Sequence, residues 1–148
     1  MGYEGGRFDD SNGGINRDNP TACSTQVRAV ALDTFLGDEP RIDLIKMDIE
    51  GAEGLALRGM IKLLNRHHPV LFTEFSPNAL KGVSGISPED YLKEFRRLGY
   101  ELYVLHRGRG QNRLPQSDQE IMRCYAECKS DHLDLVAIPS GTREPTCA

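Results

Sequence analysis

One lysine and three carboxylates lie close together over the last eight residues of the stretch 42–53, which reads IDLIKMDIEGAE. The first half is short and apolar, which predicts a buried strand over residues 42–49. Since side chains alternate along a strand, Lys46, Asp48 and Glu50 are predicted to share one face, with the apolar residues between them on the other. This charged stripe lies at the carboxyl end of the strand, where open parallel sheets bind their ligands.

Carboxylates in such a crevice can take a proton from a hydroxyl group or orient a polar substrate. A functional role is favoured for Asp48, because it precedes the following helix and interrupts an apolar run. Glu50 is a candidate helper, as is Glu74, which ends the next predicted strand and would join the same crevice. For Glu53 alone, interaction with the positive end of the following helix is the simpler explanation. Lys46 is interpreted as the countercharge that allows these carboxylates to be buried.

Metal binding is not predicted from either of two candidate groups. The Asp-x-Glu pair at 48–50 offers oxygen ligands for Mg²⁺, but the sequence identifies no further ligands for it. Cys124, Cys128 and His132 are spaced by four, yet no second pair completes a four-ligand zinc site. With Cys23 and Cys147 they occur in a chain without a secretory signal, so reduced thiols and a packing role for Cys124 and Cys128 are expected.

The elements that must position the charged residues alternate between strand and helix. Small and apolar residues recur at three-and-four spacing from Ala52 to Leu63, which predicts a helix directly after the first strand. A second strand, VLFTEF, follows His68-Pro69, and the sequence SPED at 87–90 predicts the start of another helix. Two further strands are predicted at 100–105 and 133–138. This order predicts an α/β fold with a mostly parallel sheet and flanking helices.

The two ends of the chain differ from this patterned part. Residues 1–25 are rich in Gly, Asp, Asn and Ser and are predicted to form a flexible N-terminal segment. The folded part then spans 26–139, beginning with a short strand at 27–31 and a turn of helix that ends at Gly37. Residues 140–148 are predicted to be a tail.

Composition and charge exclude several classes of partner. The chain has 148 residues, of which 39% are hydrophobic and 27% charged, as in soluble globular proteins. Its net charge of −4 and pI of about 5.6 provide no basic field for nucleic acid or for an anionic membrane. No apolar run has the length of a signal-peptide core or a membrane span. A cytoplasmic location, with neither nucleic acid nor membrane as partner, is therefore expected.

Four blocks carry most of the pattern, namely IDLIKMDIEGAEGLALRGM, HHPVLFTEFSP, SPEDYLKEFRRLGYELYVL and HLDLVAIP. Together with LDTFL at 32–36, they resemble successive blocks of the FkbM-type S-adenosylmethionine-dependent methyltransferases. The resemblance covers residues 26–139, and its most specific part is the K-x-D-x-E-G-x-E core that begins at Lys46.

The resemblance implies a Rossmann-like methyltransferase sheet in which the strand at 42–49 is the fourth of seven. It also implies S-adenosylmethionine as cofactor and O-methylation of a small-molecule or carbohydrate acceptor, such as a sugar or natural-product hydroxyl. Asp48, Glu50 and Glu74 are the expected catalytic residues, and Asp48 and Glu53 the expected cofactor-binding residues in the crevice wall. Asp48 is assigned to the acceptor side, because a carboxylate resting on the sulfonium would stabilise the ground state more than the transition state.

The sequence departs from the family pattern upstream of the first block. The glycine-rich cofactor turn and the acidic ribose ligand should precede residue 26, and neither motif is recognisable there. The chain therefore resembles the carboxyl-terminal half of the domain, either as a fragment or with its N-terminal half supplied by another polypeptide. The strand at 42–49 is then expected to be an exposed edge, which predicts self-association and weak cofactor binding by the isolated chain.

Two other classes of function remain open at this stage. The first is an inactive methyltransferase-like remnant that acts as a binding or dimerisation module, which the missing cofactor motifs favour. The second is an unrelated α/β protein with a carboxylate metal site, which the Asp-x-Glu pair favours. Binding of S-adenosylmethionine with and without Mg²⁺ would separate these readings.

Overall fold

The computed structural model describes residues 8–9, 24–25, 28–105 and 114–141. Strands β1 (Phe8–Asp9) and β2 (Ser24–Thr25) form a small antiparallel pair. Most of the predicted flexible segment 1–25 and of the tail 140–148, including Cys23 and Cys147, lies outside the described residues. The division of the chain into segments therefore stays a prediction.

The chain enters its main sheet through helix α1 (Leu32–Phe35) and strand β3 (Leu44–Met47). The predicted turn of helix before Gly37 is confirmed by α1. The predicted strand at 27–31 is wrong over its described part, since residues 28–31 are not in a strand. β3 ends two residues before the predicted end at Ile49, because Glu50 adopts a left-handed conformation with a φ of 54° and the chain turns there.

The helix predicted from Ala52 to Leu63 is two helices, α2 (Glu53–Arg58) and α3 (Ile61–His67). α3 is capped from a distance, because the Asp33 carboxylate accepts hydrogen bonds from the backbone N–H groups of Lys62 and Leu63 at 3.1 and 2.8 Å. Because the capping residue belongs to α1, the sequence next to α3 contains no local capping pattern from which the start of α3 could be predicted. In α2 the buried leucine is Leu57, whereas Leu55, which lies three residues after Ala52 on the predicted apolar spacing, is only partly buried.

The second half of the fold alternates between helices and strands. Its elements are β4 (Val70–Phe75), α4 (Pro77–Val83), α5 (Pro88–Arg97), β5 (Tyr100–Leu105), α6 (Asp118–Glu127) and β6 (Leu133–Pro139). The predicted start of α5 is confirmed, since the Ser87 side chain accepts a hydrogen bond from the N–H of Asp90. α4 and α6 were not predicted. Among the described helices, none has the length and apolar character needed to cross a membrane.

Strands β3 to β6 form one sheet in the order β3-β4-β6-β5. β3 and β4 are parallel, whereas β6 is antiparallel to both β4 and β5. The α/β class is confirmed, but the prediction of a mostly parallel sheet is wrong, because β6 inserts between two strands that run the other way. An apolar strand has the same composition in either direction, so the sequence of β6 does not indicate its orientation.

One face of this sheet carries the hydrophobic core. Alternate residues of the strands point into it, and helix residues cover them; the largest fully buried side chains include Leu71, Phe75, Tyr91, Leu92, Phe95, Leu102 and Leu135. Burying a side chain of this size contributes about 1.5–3 kcal/mol relative to leaving it exposed. Aromatic rings join the helices to the sheet, as in the edge-to-face contact of Phe95 in α5 with Tyr100 in β5 at 6.2 Å between centroids.

The two edges of the sheet differ in what lies beside their backbone. At the β5 edge, the backbone N–H of Gln116 donates to the Leu102 carbonyl at 2.8 Å, and its side-chain Oε1 accepts from the Val104 N–H at 2.7 Å. Gln116 thus occupies the place of a neighbouring strand. β3 has β4 as its single strand neighbour within the described ranges, and Leu44 on it is 58% exposed. The expected edge position of this strand is therefore confirmed for the described part of the chain.

Candidate functional site

The site is built around the turn that leads from β3 into α2. Glu50 and Gly51 both have left-handed backbone conformations, with φ values of 54° and 92°. A Cβ atom on Gly51 would lie 2.6 Å from the carbonyl oxygen of Ala79 in α4. Glycine is therefore required at position 51 both for its backbone conformation and for the close approach of α4.

Two buried side chains hold this turn in place. Glu53 is 1% exposed, and its Oε1 accepts a hydrogen bond from the Ile49 N–H at 2.9 Å. The Ser84 hydroxyl donates to the Gly51 carbonyl and accepts from the Leu55 N–H. The structure thus gives Glu53 a position inside the turn, and its predicted contact with a cofactor stays a prediction. Ser84 was missed by the sequence reasoning, because it follows α4 and meets the turn only in the folded chain.

Lys46 and Asp48 form an ion pair directly before the turn. Their Nζ and Oδ2 atoms are 2.6 Å apart, and the hydrogen bond with Asp48 raises the pKa of Lys46 above its ordinary value. Both side chains are substantially exposed, so the pair contributes little to stability. Its consequence is positional, because Lys46 holds one oxygen of the Asp48 carboxylate at the carboxyl end of β3.

Asp48 and Lys46 line a cavity of about 290 Å³ at the carboxyl ends of β3, β4 and β5. Its other lining residues are Met47, Phe72, Thr73, Glu74, Leu105, Asp134 and Leu135. The predicted convergence of Lys46, Asp48 and Glu74 is therefore observed. Glu50 does not line this cavity, because the left-handed turn carries it away from the strand alternation on which its placement was predicted.

Asp134 is a cavity residue that the sequence reasoning missed. It lies directly opposite Glu74 in the antiparallel pairing of β6 with β4. Two carboxylates in cross-strand positions repel each other, and the ammonium group of Lys46 interacts electrostatically with both. The acidic residue within HLDLVAIP was the available signal, but its meaning depends on a strand register that the sequence does not provide.

The surroundings of Glu74 favour its protonated form more than water does. Partial burial raises the pKa of Glu74 above its ordinary value, and the neighbouring carboxylates of Glu50, Glu53 and Asp48 act in the same direction. The imidazole of His132 opposes this shift. Glu50 and Glu53 therefore influence the cavity through their charge although neither lines it. A carboxyl group with a raised pKa is suited to exchange a proton or donate a hydrogen bond.

His132 lies immediately before β6 and was noted in the sequence only for its spacing from two cysteines. Its Nδ1 is 2.9 Å from Oδ1 of Asp131. This hydrogen bond raises the pKa of His132, and the charge of Glu74 acts in the same direction. Cys124 and Cys128 are partly buried and pack against the hydrophobic core, which agrees with the packing role predicted for them.

The described residues contain no group of three or more His, Cys, Asp or Glu side chains that could hold a metal ion. The cavity is therefore characterised by an ion pair, two further carboxylates and an apolar wall. These features lie where the turn from strand to helix opens a crevice, which is the ligand-binding position of α/β sheets.

An α/β protein with its polar crevice at the strand-to-helix turn is the class that the fold and site define. Within that class, the sequence profile of the Methyltransferase FkbM domain matches residues 5–102, which is more than half of the 148 residues. The chain belongs to the FkbM methyltransferase family, and methyl transfer is the general activity of that family. Searches of curated proteins and of solved structures found no match.

The match differs in extent from the resemblance seen in the sequence. It begins at residue 5 and ends at residue 102, so it includes most of the segment 1–25 and stops before the block HLDLVAIP. It contains the K-x-D-x-E-G-x-E core and Glu74, whereas His132 and Asp134 lie beyond it. The residues after 102 are joined to the matched part by the pairing of β6 with β4.

Proposed function

We propose that this protein takes part in S-adenosylmethionine-dependent methyl transfer to a hydroxyl group of a sugar or small natural product. The observation that carries the proposal is the cavity at the carboxyl ends of β3 and β4. There Lys46, Asp48 and Glu74 converge, within a chain that belongs to a methyltransferase family. The proposed location is the cytoplasm.

The donor set of this region fits the cofactor chemically. When bound, S-adenosylmethionine supplies a methyl group on a cationic sulfur. Carboxylates in this region attract a cation through space and accept hydrogen bonds from ribose hydroxyls. Glu53, which closes the turn at Ile49, would support the cofactor side of the wall by fixing the backbone next to Asp48.

Asp48 belongs on the acceptor side in this proposal. Charge on the sulfonium disperses in the transition state, so a carboxylate in direct contact with it would favour the ground state. An acceptor hydroxyl, by contrast, loses a proton during the reaction and gains from a nearby hydrogen-bond acceptor. Lys46 keeps Asp48 in one orientation. Glu74 would orient a second hydroxyl of the acceptor, and Glu50 would act through its charge on Glu74.

A further part of the protein is proposed to complete the cofactor pocket. Within the described residues, the cavity is lined by strands of the sheet and by Asp48 directly after β3, and a ligand that buries little of its surface binds weakly. A segment lying beside β3 would turn this partial wall into a Rossmann-like pocket. It could come from elsewhere in the same protein or from a second copy. For the chain alone, we expect weak S-adenosylmethionine binding or none.

Transfer of labelled methyl groups from S-adenosylmethionine to a mixture of methyl glycosides tests the proposal. The chain would be assayed alone and together with the upstream segment of a full-length family member. We expect transfer in the combined form, and a large loss of turnover in Asp48→Asn with cofactor affinity unchanged by calorimetry. The matched control is Asp43→Asn, which removes a similar exposed ion pair at the other end of β3, with Arg41 at 2.7 Å.

The alternatives give different results in the same experiment. Cofactor binding without transfer would favour an inactive binding module. Binding or transfer that requires added Mg²⁺ would favour a carboxylate metal site. Equal loss of cofactor affinity and turnover in Asp48→Asn would show that Asp48 is not on the acceptor side.

A further inference from the structure

We infer that His132 is the general base of the acceptor site and that Asp131 is its positioning residue. The inference rests on the proposed function, since it assigns the group that receives the proton of the acceptor hydroxyl. It concerns a residue outside the range matched by the family profile. Three features carry it: the place of His132 beside the cavity, the orientation of its ring and its proton affinity.

The place of His132 follows from the register of β6. Leu133 pairs with Phe75 and Asp134 pairs with Glu74. Leu133 and Phe75 are buried in the core, so Asp134, the next residue of the strand, belongs to the opposite face and lines the cavity. His132 directly precedes the strand. It does not line the cavity itself, but its ring interacts electrostatically with Glu74 and Asp134, which do. It is the diagonal cross-strand neighbour of Glu74, a relation that leaves long side chains within reach of each other.

The orientation of the ring is set by Asp131. A carboxylate accepts hydrogen bonds and does not donate them, so His132 Nδ1 carries the hydrogen of the 2.9 Å contact with Asp131 Oδ1. In the neutral ring Nε2 then holds the lone pair, and it has no hydrogen-bond partner among the described residues. Asp131 is itself anchored, because its carbonyl oxygen accepts a hydrogen bond from the Ser76 hydroxyl at 2.9 Å.

The surroundings of the ring favour proton uptake. The groups that face it are Asp131 beside it, Glu74 on β4 and Asp134 on β6, and all three raise the pKa of His132, whereas partial burial lowers it. From the side of α6, Cys128 approaches only the backbone carbonyl of His132. These interactions raise the pKa of the His132 imidazole above its ordinary value of 6.5, which increases its affinity for a proton.

Asp48 is less suited to be the base itself. One of its carboxylate oxygens is 2.6 Å from the ammonium group of Lys46, so that oxygen is already engaged in a hydrogen bond. In the proposed division of roles, Asp48 orients the acceptor and His132 removes its proton. The arrangement of Asp131 and His132 has the same logic as other carboxylate–histidine pairs, in which the carboxylate fixes the tautomer and stabilises the imidazolium.

The reaction step balances with these groups. The oxygen–hydrogen bond of the acceptor breaks and its proton moves to Nε2 of His132. The acceptor oxygen forms a bond to the methyl carbon, while the carbon–sulfur bond breaks and leaves its electron pair on sulfur. The positive charge that begins on sulfur ends on the imidazolium, next to Asp131 and Glu74. The products are a methyl ether and a neutral thioether, and the proton later leaves to solvent.

Nuclear magnetic resonance of the full chain tests the state of the ring. We expect the neutral ring of His132 to be the Nδ1–H tautomer, with a pKa above the ordinary value. Asp131→Ala should shift the ring toward the Nε2–H tautomer that is preferred in solution. Glu74→Gln should lower the pKa of His132, because it removes a nearby negative charge. An Nε2–H tautomer in the parent protein, or a pKa insensitive to Glu74→Gln, would overturn the inference.

The transfer assay described above tests the role of the ring. His132→Gln should lower turnover by at least about 100-fold, the contribution typical of a general base, and should remove the ionisation seen in the parent's pH profile. Cofactor affinity should be unchanged, and added imidazole should partly restore transfer in His132→Ala. His67→Gln, in the last turn of α3, is the control and should behave as the parent does.

The outcomes separate the inference from the proposed function. Transfer at the parental rate and with the parental pH profile in His132→Gln would overturn the inference alone. Absence of transfer by the parent in the combined form would overturn the proposed function, and the role of the ring with it. A stabilising role without catalysis would appear as a loss of thermal stability in His132→Gln without imidazole rescue, which also contradicts the inference.

Discussion

The two faces of the four-stranded sheet differ sharply although the same four strands build both. On one face, Leu71, Phe75 and Leu102 are fully buried beneath helices. On the other, Phe72, Glu74 and Asp134 remain partly exposed and mix charge with apolar surface. The core cluster includes residues of the first face, whereas the charged strand residues that line the cavity, Lys46, Glu74 and Asp134, lie on the second.

This difference shows how one strand serves two purposes. Because side chains alternate, each residue that contributes to stability is followed by one that is free to contribute to chemistry. The burial of the first face fixes the backbone, and the backbone then fixes the spacing of charges on the second. Glu74 and Asp134 are held opposite each other despite their repulsion, because their neighbours in the core fix the register.

The largest expected effect separates two adjacent residues of β4. Leu71→Ala creates a cavity in the core and should lower the free energy of unfolding by about 2–5 kcal/mol. Phe72→Ala should cost about 1 kcal/mol or less, because its side chain is on the partly exposed face. Urea unfolding of both variants measures the difference. Equal losses would mean that the second face is covered as completely as the first.

The next effect concerns the turn from β3 into α2, around which the site is built. Gly51→Ala forces a φ of 92° on alanine and brings its Cβ against Ala79. We expect the strained backbone conformation to lower the free energy of unfolding by about 1–3 kcal/mol. Displacement of α4 by the new Cβ would lower it further. Gly82→Ala is the control, since a Cβ there meets open space within α4, and it should stabilise the fold by up to about 1 kcal/mol. Thermal unfolding compares the two.

Glu74→Gln is expected to have a smaller effect on stability and, unlike Leu71→Ala and Gly51→Ala, to stabilise the protein. The pKa of Glu74 is raised on folding, so the folded protein holds this proton more tightly than the unfolded chain does. Stability therefore falls as pH rises from the ordinary pKa of 4.5 through the folded value. The variant should be slightly more stable than the parent at neutral pH and equal to it below about pH 4. A destabilised variant at neutral pH would contradict the sign of the shift.

The smallest expected effect concerns His132 and stability. Its pKa is raised on folding by the hydrogen bond with Asp131, so the pair stabilises the fold fully below the unfolded value of 6.5 and less as pH rises through the folded value. Since Asp131 is exposed, solvent screens the interaction and the effect is small. Asp131→Asn should flatten this part of the pH dependence of unfolding. An unchanged slope would show that the pair forms equally well in the unfolded chain.

The sequence was most informative where signals are local. The start of α5 at Ser87-Pro88 and the apolar strand β4 were predicted because capping residues and unbroken apolar runs act over a few positions. α6 was missed although it also has a local signal, a capping box of Ser117 with Glu120. The separation of α2 from α3 and the direction of β6 were not predictable in this way, since they depend on Asp33 and on strand pairing far along the chain.

The same distinction between local and distant signals applies to the residues of the site. Alternation within β3, and the shared carboxyl ends of β3 and β4, were enough to bring Lys46, Asp48 and Glu74 together. Asp134 and His132 lie about sixty residues further along the chain than Glu74. Their place near the site depends on the register in which β6 pairs with β4, which the sequence does not provide. The predicted position of Glu50 assumed that side chains alternate between the two faces beyond Met47. The backbone of Glu50 is instead left-handed, and the apolar pattern of the sequence does not indicate this turn.

The strand-like position of Gln116 has a consequence for stoichiometry. Because Gln116 satisfies the backbone of β5 at Leu102 and Val104, an added strand is better accommodated beside β3 within the described fold. Two copies that pair through β3 about a two-fold axis would each have this edge covered by the other. Growth would then stop at a pair, since fibres need two complementary edges on each molecule. Light scattering at rising concentration should accordingly reach a plateau at twice the mass of one chain.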